Sequence, residues 1–446
     1  MSPIKFTTWI SILFMEYNIP KGLFDILPFC LNDQLQWRTS DKWQYIESVI
    51  RETCLNYGFQ EIRTPIFEKT ELFIRSSGET SDIVSKEMYT FEDKGGRSMT
   101  LRPEGTASVM RSILENNLQQ FTPNLKLFYI GPIFRYDRPQ AGRYRQHHQF
   151  GIEAIGCGRP EQDVEVIELL CELYKKLGLK NLQLQINSIG DLNSRSLFNT
   201  ALKDFLSNHF SNLSADSQIR FHKNPLRILD SKDPKDHLIL ENAPSILNYL
   251  DEESKNHFDK VLSLLDKIGI PYVINPFLVR GLDYYNRTVF EIVSTDLGSQ
   301  NTIGAGGRYD DLAKFLGKNQ IPSVGFATGI ERILQTMISQ ECPFPTFQPC
   351  YLYIIPLGDQ SIDYCFQLTS KLRKKSIPTE MDFSSKKIQQ CLQTASKLRA
   401  KFCLIIGEEE ISSGDALLKN METREQIPIK LSSCIEEIKT LKDSNA

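Results

Sequence analysis

The sequence predicts an α+β protein of two or three domains, and three features carry that expectation. The first is a pair of strand-like segments, LFYIGPIFRYD and RQHHQFGIEAIG, flanking the turn-forming run Arg-Pro-Gln-Ala-Gly-Arg; together they predict an antiparallel hairpin with a long loop. The second is helical apolar spacing, as in Trp43, Ile46, Val49, Ile50, Cys54 and Tyr57, which ends at Gly58, a good helix stop. The third is a change of pattern beyond Pro343, Pro345 and Pro349, where YLYIIPL and FCLIIG bracket two helical stretches in the order of a small α/β unit. A chain of 446 residues also exceeds what one core comfortably serves.

With 41% hydrophobic and 24% charged residues, the chain has the make-up of a globular protein, and a net charge of -3 excludes a wholly electrostatic nucleic-acid binder. Contact with nucleic acid must then use a local basic patch. The hairpin loop is one, since Arg135, Arg138, Arg143 and Arg145 gather there in a slightly acidic protein. That concentration suits polyphosphate or RNA, and it also describes a solvated basic turn. Ten scattered cysteines, with no CxxC pair and no zinc-type Cys/His spacing, predict reduced thiols in a cytosolic compartment. His147 and His148 are adjacent on a strand, point to opposite faces and make poor joint ligands, so no metal motif follows. The apolar run from Trp9 to Met15 is too short to span a membrane, and no small-residue cleavage motif follows it. Residues 1–19 read as an extension, with Met15 a plausible start.

In chain order, the helix from Asp41 precedes FQEIRTPIFEKTELF, which alternates into a strand interrupted by Pro65 at a sheet edge or bend. In MYTFEDKGGRSMTLRPEGTASVMRSIL, a Gly-Gly turn joins two apolar segments and Glu104-Gly105-Thr106 opens a helix; an acid there is also an ordinary complement to the helix dipole. Val164, Ile167, Leu170, Leu173, Tyr174 and Leu177 form one helix face closed by Gly178, and LQLQIN follows as a strand. The stretch 191–258 is more polar and helical, with DSKDP and DEES turns and no nameable chemistry. In FLVRGLDYYNRTVFEIV, Gly281 permits a bend, and one of Tyr284 and Tyr285 faces a pocket whichever way the strand turns, although paired tyrosines are common in cores. VGFATGIERIL reads as a small-residue strand that breaks at Gly329 into a helix bearing Glu331 and Arg332, also the pattern of a helix start with a surface ion pair. In the tail, helices are expected through Tyr364 to Lys375 and around Lys386 to Lys401; Lys371, Arg373, Lys374, Lys375, Lys386 and Lys387 read as phosphate contacts or as a solvated face.

Phe134-Arg135 followed by Asp137 resembles motif 2 of the class II aminoacyl-tRNA synthetases. The longer string RPQAGRYRQHHQFGIE, together with RGLDYY and AGGRYD (Ala305 to Asp310), resembles the bacterial histidyl-tRNA synthetases. The helix–strand–Pro arrangement at Pro65 resembles motif 1 and VGFATGIERIL resembles motif 3, so the likeness covers nearly the whole chain from Pro20. It implies an antiparallel sheet flanked by helices over 20–345, a helical insertion at about 191–258 that in the family approaches the tRNA acceptor stem, and a C-terminal α/β anticodon-binding domain over 346–446. It further implies a cytoplasmic homodimer built on motif 1 and ATP-dependent attachment of L-histidine to histidine tRNA through a histidyl-adenylate, with Mg²⁺.

The resemblance also implies roles. Arg135 and Arg280 stand at the α-phosphate of ATP and Arg332 at the γ-phosphate, all three catalytic, since this chemistry needs alignment and cationic stabilisation. Glu104, Gly105, Thr106 and Gln149 hold the amino end of histidine, Glu153, Tyr284 and Tyr285 its ring, and Arg143 or Arg145 lies near the extra guanosine of histidine tRNA. Two positions depart from the family pattern: Asp137, where Glu is usual, and Lys21, where Arg is frequent. A second reading is the catalytically silent paralogue that regulates the first enzyme of histidine biosynthesis, which typically lacks the C-terminal domain and the full motif set.

Overall fold

The computed structural model describes residues 17–30, 32–78, 81, 83–137, 142–294, 296, 301–346, 350–384 and 387–444. Most of the expected extension, with Met15, and also Arg138, Pro349 and Lys386 lie outside the described residues. The chain divides into two compact units, Met1–Phe344 and Pro345–Ala446.

The first unit contains β1 (Gln60–Glu61), β2 (Phe67–Lys69), β3 (Tyr89–Glu92), β4 (Ser98–Leu101), β5 (Leu125–Phe134), β6 (Gln146–Ile155), β7 (Leu182–Ser188), β8 (Tyr272–Ile274), β9 (Asn286–Ser294), β10 (Thr302–Arg308) and β11 (Ser323–Gly329). Eight of them form one sheet in the order β1-β5-β6-β11-β10-β9-β7-β8, antiparallel except for the parallel edge pairs β1·β5 and β7·β8. β2, β4 and β3 make a small antiparallel sheet. Pro65 therefore separates two short strands that serve different sheets, and the end of FEKTELF is a helix, Thr70–Ser77, rather than a continuing strand. A proline cannot carry the ladder across that point, so pairing has to restart.

Strand alternation sorts the main sheet into two faces. Phe128, Phe150, Ile152, Phe290, Val324 and Phe326 point into a core shared with Trp43, Ile46 and Ile50 of helix Ser40–Asn56, with Val166, Ile167 and Leu170 of Pro160–Lys176, and with helices Glu252–Ile268 and Ile330–Ser339. The intervening residues face the other way, where Val109, Met110 and Ile113 of helix Thr106–Glu115 and Phe198, Leu202 and Leu206 of helix Leu192–Ser207 form a second core. The polar stretch from 191 is thus built around buried residues of its own. Its last helix, Glu252–Ile268, runs past residue 258 into the layer under the sheet.

The second unit has a five-stranded sheet, β13-β12-β14-β15-β16, formed by β12 (Leu352–Pro356), β13 (Thr379–Met381), β14 (Phe402–Ile406), β15 (Asp415–Asn420) and β16 (Gln426–Lys430). The strand–helix–helix–strand expectation lacks β13, which pairs parallel to β12 between helices Asp359–Lys374 and Ile388–Lys397. Three residues beside Pro378 give too short a pattern to register as a strand.

Candidate active site

On the second face of the large sheet, the register aligns one row of residues. Tyr129 pairs with Gly151, Gly151 with Ala327, Ala327 with Ala305, Ala305 with Glu291 and Glu291 with Gln185. Gly151, Ala327 and Ala305 leave the middle of the row bare between Tyr129 and Glu291. A cleft of about 790 Å³ stands on this face, lined by Arg135, Arg143, Arg280, Arg332, Tyr285 and Glu291 among others. A smaller space of about 310 Å³ shares Arg135, Arg143 and Arg332 and adds Gln149, His147 and Asp137. These volumes suit a small ligand.

The guanidinium groups converge from separate parts of the chain. Arg135 follows β5, its backbone N–H donating to Arg145 O at 2.9 Å and its Nε to Pro103 O at 2.8 Å. Arg332, in the first turn of helix Ile330–Ser339, donates to Thr302 O at 2.8 Å and Gly142 O at 3.3 Å. Burial, reinforced by the charge of Arg143, pulls the Arg332 guanidinium below its ordinary pKa. Arg143 meets Asp137 at 2.9 Å. Arg280 Nη1 lies 3.3 Å from Glu291 Oε2, which also accepts from Thr302 Oγ1 at 3.2 Å, and Arg280 Nε is buried with no partner among the described residues. Like charges gathered in this way favour a polyanion.

Behind the cleft lies a buried polar cluster. Glu104, 4% exposed, accepts from the N–H groups of Thr106 at 2.6 Å and Ala107 at 2.9 Å, so it also caps its helix. Burial raises its carboxyl pKa. Glu153, 1% exposed, accepts from Thr106 Oγ1 at 2.7 Å and from the Tyr309 hydroxyl, and burial pushes its carboxyl up to about 8. The rings of Tyr284 and Tyr285 are 4.7 Å apart and Tyr284 is 5.6 Å from Tyr309. Tyr285 lines the cleft, whereas Tyr284 is buried behind it. Two glycines are dictated by one ring, because a Cβ on Gly105 or Gly151 would stand 2.2 or 2.4 Å from Tyr129 Cζ. A Cβ on Gly325 would reach 2.3 Å from Glu153 Oε2. A carboxylate among hydroxyls, closed to water, is an environment able to read a ring with one donor and one acceptor nitrogen.

Arg135, Arg280, Arg332 and Arg143 are thus brought to one cleft with Tyr285, and Gln149 enters its smaller extension. Glu104, Thr106, Glu153 and Tyr284 form the cluster beneath. Arg145 lies apart from both, its guanidinium 4.2 Å from the Tyr136 ring centroid. Sequence reasoning assigned no role to Tyr129, Tyr309 or Glu291, although Tyr309 sits inside AGGRYD. Nor is Glu331 a surface partner: it is 3% exposed and accepts from the His148 backbone N–H at 2.8 Å, with His148 Nδ1 at 3.0 Å. His147, on the other face, is held neutral, since burial and the Arg135 charge lower its pKa to about 3. Another groove, of about 900 Å³, runs past Pro65, Glu68, Arg75 and Arg111. Its arginines pair with acids, Arg111 with Glu68 and Glu115 and Arg75 with Glu71, and it holds none of the motif 2, motif 3 or RGLDYY residues.

An antiparallel sheet that brings motif 2, motif 3 and the RGLDYY string to one arginine-lined cleft is the catalytic architecture of a class II aminoacyl-tRNA synthetase. The profile of the histidyl-tRNA synthetase family matches residues 34–333, and that of an anticodon binding domain matches 352–441. The histidine–tRNA ligase of Protochlamydia amoebophila (strain UWE25) is 56% identical over 427 residues, 95% of this chain and 100% of its own length. That of Bacillus subtilis (strain 168) is 47% identical over 429 residues, 95% and 99% of the two chains. The crystal structure of apo S. aureus histidyl-tRNA synthetase is similar with a TM-score of 0.79 and 39% identity, over 95% of this chain and 100% of that one. The chain belongs to the histidyl-tRNA synthetase family.

Proposed function

We propose that the protein ligates L-histidine to its cognate tRNA with ATP as the energy source. The histidine carboxylate attacks the α-phosphorus, the bond to the β-phosphate oxygen breaks and pyrophosphate leaves; a terminal tRNA hydroxyl then attacks the acyl carbon and AMP departs. The observation that supports this reading best is the meeting of Arg135, Arg280 and Arg332 in one cleft beside the buried Glu153 cluster. In this reading Arg135 and Arg280 stabilise charge at the α-phosphate and Arg332 receives the terminal phosphates. Glu153, Tyr284, Tyr285 and Tyr309 read the imidazole, while Glu104, Thr106 and Gln149 hold the ammonium group. Mg²⁺ would be held by the triphosphate and by carboxylates of the cleft wall, which include Glu87 and Glu291, and would neutralise phosphate charge there.

Residues 20–345 act as the catalytic domain, with the insertion at about 191–258, and 346–446 act on the anticodon. Arg143 and Arg145, both on the β6 side of the hairpin loop, are the contacts proposed for the extra guanosine of histidine tRNA. In this reading the protein works as a cytoplasmic homodimer, as the family resemblance implies. No helix among the described residues is long and apolar enough to cross a membrane. A regulatory paralogue that binds histidine without activating it is disfavoured by the 56% identity to a ligase and by the anticodon-type tail. Histidine-dependent exchange of labelled pyrophosphate into ATP decides between the two. Purified protein that binds histidine and yields no labelled ATP would refute the ligase.

A further inference from the structure

The segment between β8 and β9, residues 275–285, carries Arg280, Tyr284 and Tyr285 but belongs to no strand or helix. Its backbone carbonyls must find donors elsewhere. At its start the sheet supplies one: Asn187 Nδ2 of β7 donates to Pro276 O at 3.3 Å and Leu278 O at 3.0 Å. From Gly281 onward the donors come from the helical insertion. Arg227 Nη2 reaches Gly281 O at 2.5 Å, and Arg195 Nη1 donates to Asp283 O at 3.2 Å and Tyr285 O at 2.9 Å. Three alternate carbonyls are thereby held by two guanidinium groups. The Asp283 carboxylate adds contacts, accepting from Asn224 Nδ2 at 3.4 Å and lying 4.0 Å from Arg227.

Both arginines are themselves fixed. Arg195 sits in the first turn of helix Leu192–Ser207, whose cap Asp191 accepts from Ser194 N–H at 2.7 Å. The carbonyl of Arg227 accepts from Arg220 Nη1 at 3.2 Å. Burial pulls the Arg195 guanidinium below its ordinary pKa, a cost that calls for compensating acceptors. We propose that Arg195 and Arg227 are positioning residues through which the insertion sets the loop that carries Arg280 and the tyrosine pair. The insertion then sets the geometry of amino-acid activation directly, and any ligand that displaces it displaces Arg280.

The inference rests on the adenylation reading of the cleft. Its test uses full-length Arg195→Met and Arg227→Met, which keep the apolar stem and lose the donors, with Arg→Lys at each site as the conservative variant. Two readouts are needed: kcat and KM in histidine-dependent pyrophosphate exchange, and hydrogen exchange of amides 277–285. The Met variants are expected to raise KM for histidine about tenfold or more and lower kcat, with a smaller change in KM for ATP and partial recovery in the Lys variants. Amides 277–285 exchange faster while β9 to β11 keep their protection. Folded Met variants with parental KM, kcat and loop exchange would overturn the proposal. So would a loss of protection throughout the unit that Lys does not repair, since that marks a folding role. If the parent protein itself shows no histidine-dependent exchange, the reading of the cleft fails instead, and loop protection alone then judges the clamp.

Discussion

Glu153→Gln should stabilise the protein while abolishing its use of histidine. In the folded chain the Glu153 carboxyl stands at about 8 rather than 4.5, because burial removes the water that would solvate its charge. The folded-state value is raised, so this group's contribution to stability is fully present below pH 4.5 and is lost as pH rises towards 8. By pH 7 the accumulated loss is on the order of 3 kcal/mol. An amide cannot ionise and escapes the penalty. It also keeps both bonds, because the Thr106 and Tyr309 hydroxyls can each donate or accept. Thermal unfolding should therefore show the Glu153→Gln variant melting higher by about 5 °C or more at pH 7 to 8, with the gain shrinking towards zero near pH 4.5. Pyrophosphate exchange should fall about a hundredfold or more in kcat/KM for histidine, since the amide has no carboxyl to exchange a proton with the imidazole or to become its counter-charge. A gain that is the same at pH 5 and pH 8, or no gain at all, would show that Glu153 carries no burial penalty and would remove the physical basis of its assigned role.

Three further outcomes are expected. Arg280→Met should cost about a hundredfold or more in kcat for exchange with little change in melting temperature; parental turnover would end its assignment to the α-phosphate. Gly105→Ala should destabilise by about 1–3 kcal/mol through overlap with the Tyr129 ring, and Tyr129→Leu in the same chain should recover part of the loss in chemical denaturation. Asp163→Ala should cost about 2–4 kcal/mol, because it leaves His257 without its partner at 2.5 Å and the fully buried Arg308 with Asp310 as its remaining acid. An Asp163 variant with an unchanged denaturation midpoint would mean that this network contributes nothing.

The parts of the site legible in the sequence are those written contiguously. Arg135 and Arg143 sit on one hairpin, Arg280 with Tyr284 and Tyr285 in one string, Glu331 with Arg332 at one strand-to-helix break, and each such string keeps local chemistry beside local structure. The floor of the cleft is a different kind of object. Tyr129 and Gly151 pair across one hairpin and Glu291, Ala305 and Ala327 across three consecutive strands, but the two groups meet only because β11 pairs with β6 out of chain order, and strand alternation within a segment says nothing about that order. The same limit hid the insertion. Arg195 and Arg227 look like solvated cations of a polar helical stretch until the fold places the 281–285 carbonyls against them.

This difference also separates two kinds of arginine. Arg308 is wholly buried, and its guanidinium meets Asp163 and Asp310 as well as Cys157 O, so its charge is cancelled where it lies. Arg135 is anchored on Pro103 O, and Arg332 donates to Thr302 O and Gly142 O. A carbonyl fixes the direction of a guanidinium without neutralising it. Anchoring by neutral oxygens thus keeps the cations oriented; burial first, and the charge of Arg143 second, lower the pKa of Arg332 there. In the proposed function a bound triphosphate would relieve the repulsion between the two, and cations oriented beforehand are the preorganisation that phosphoryl chemistry requires.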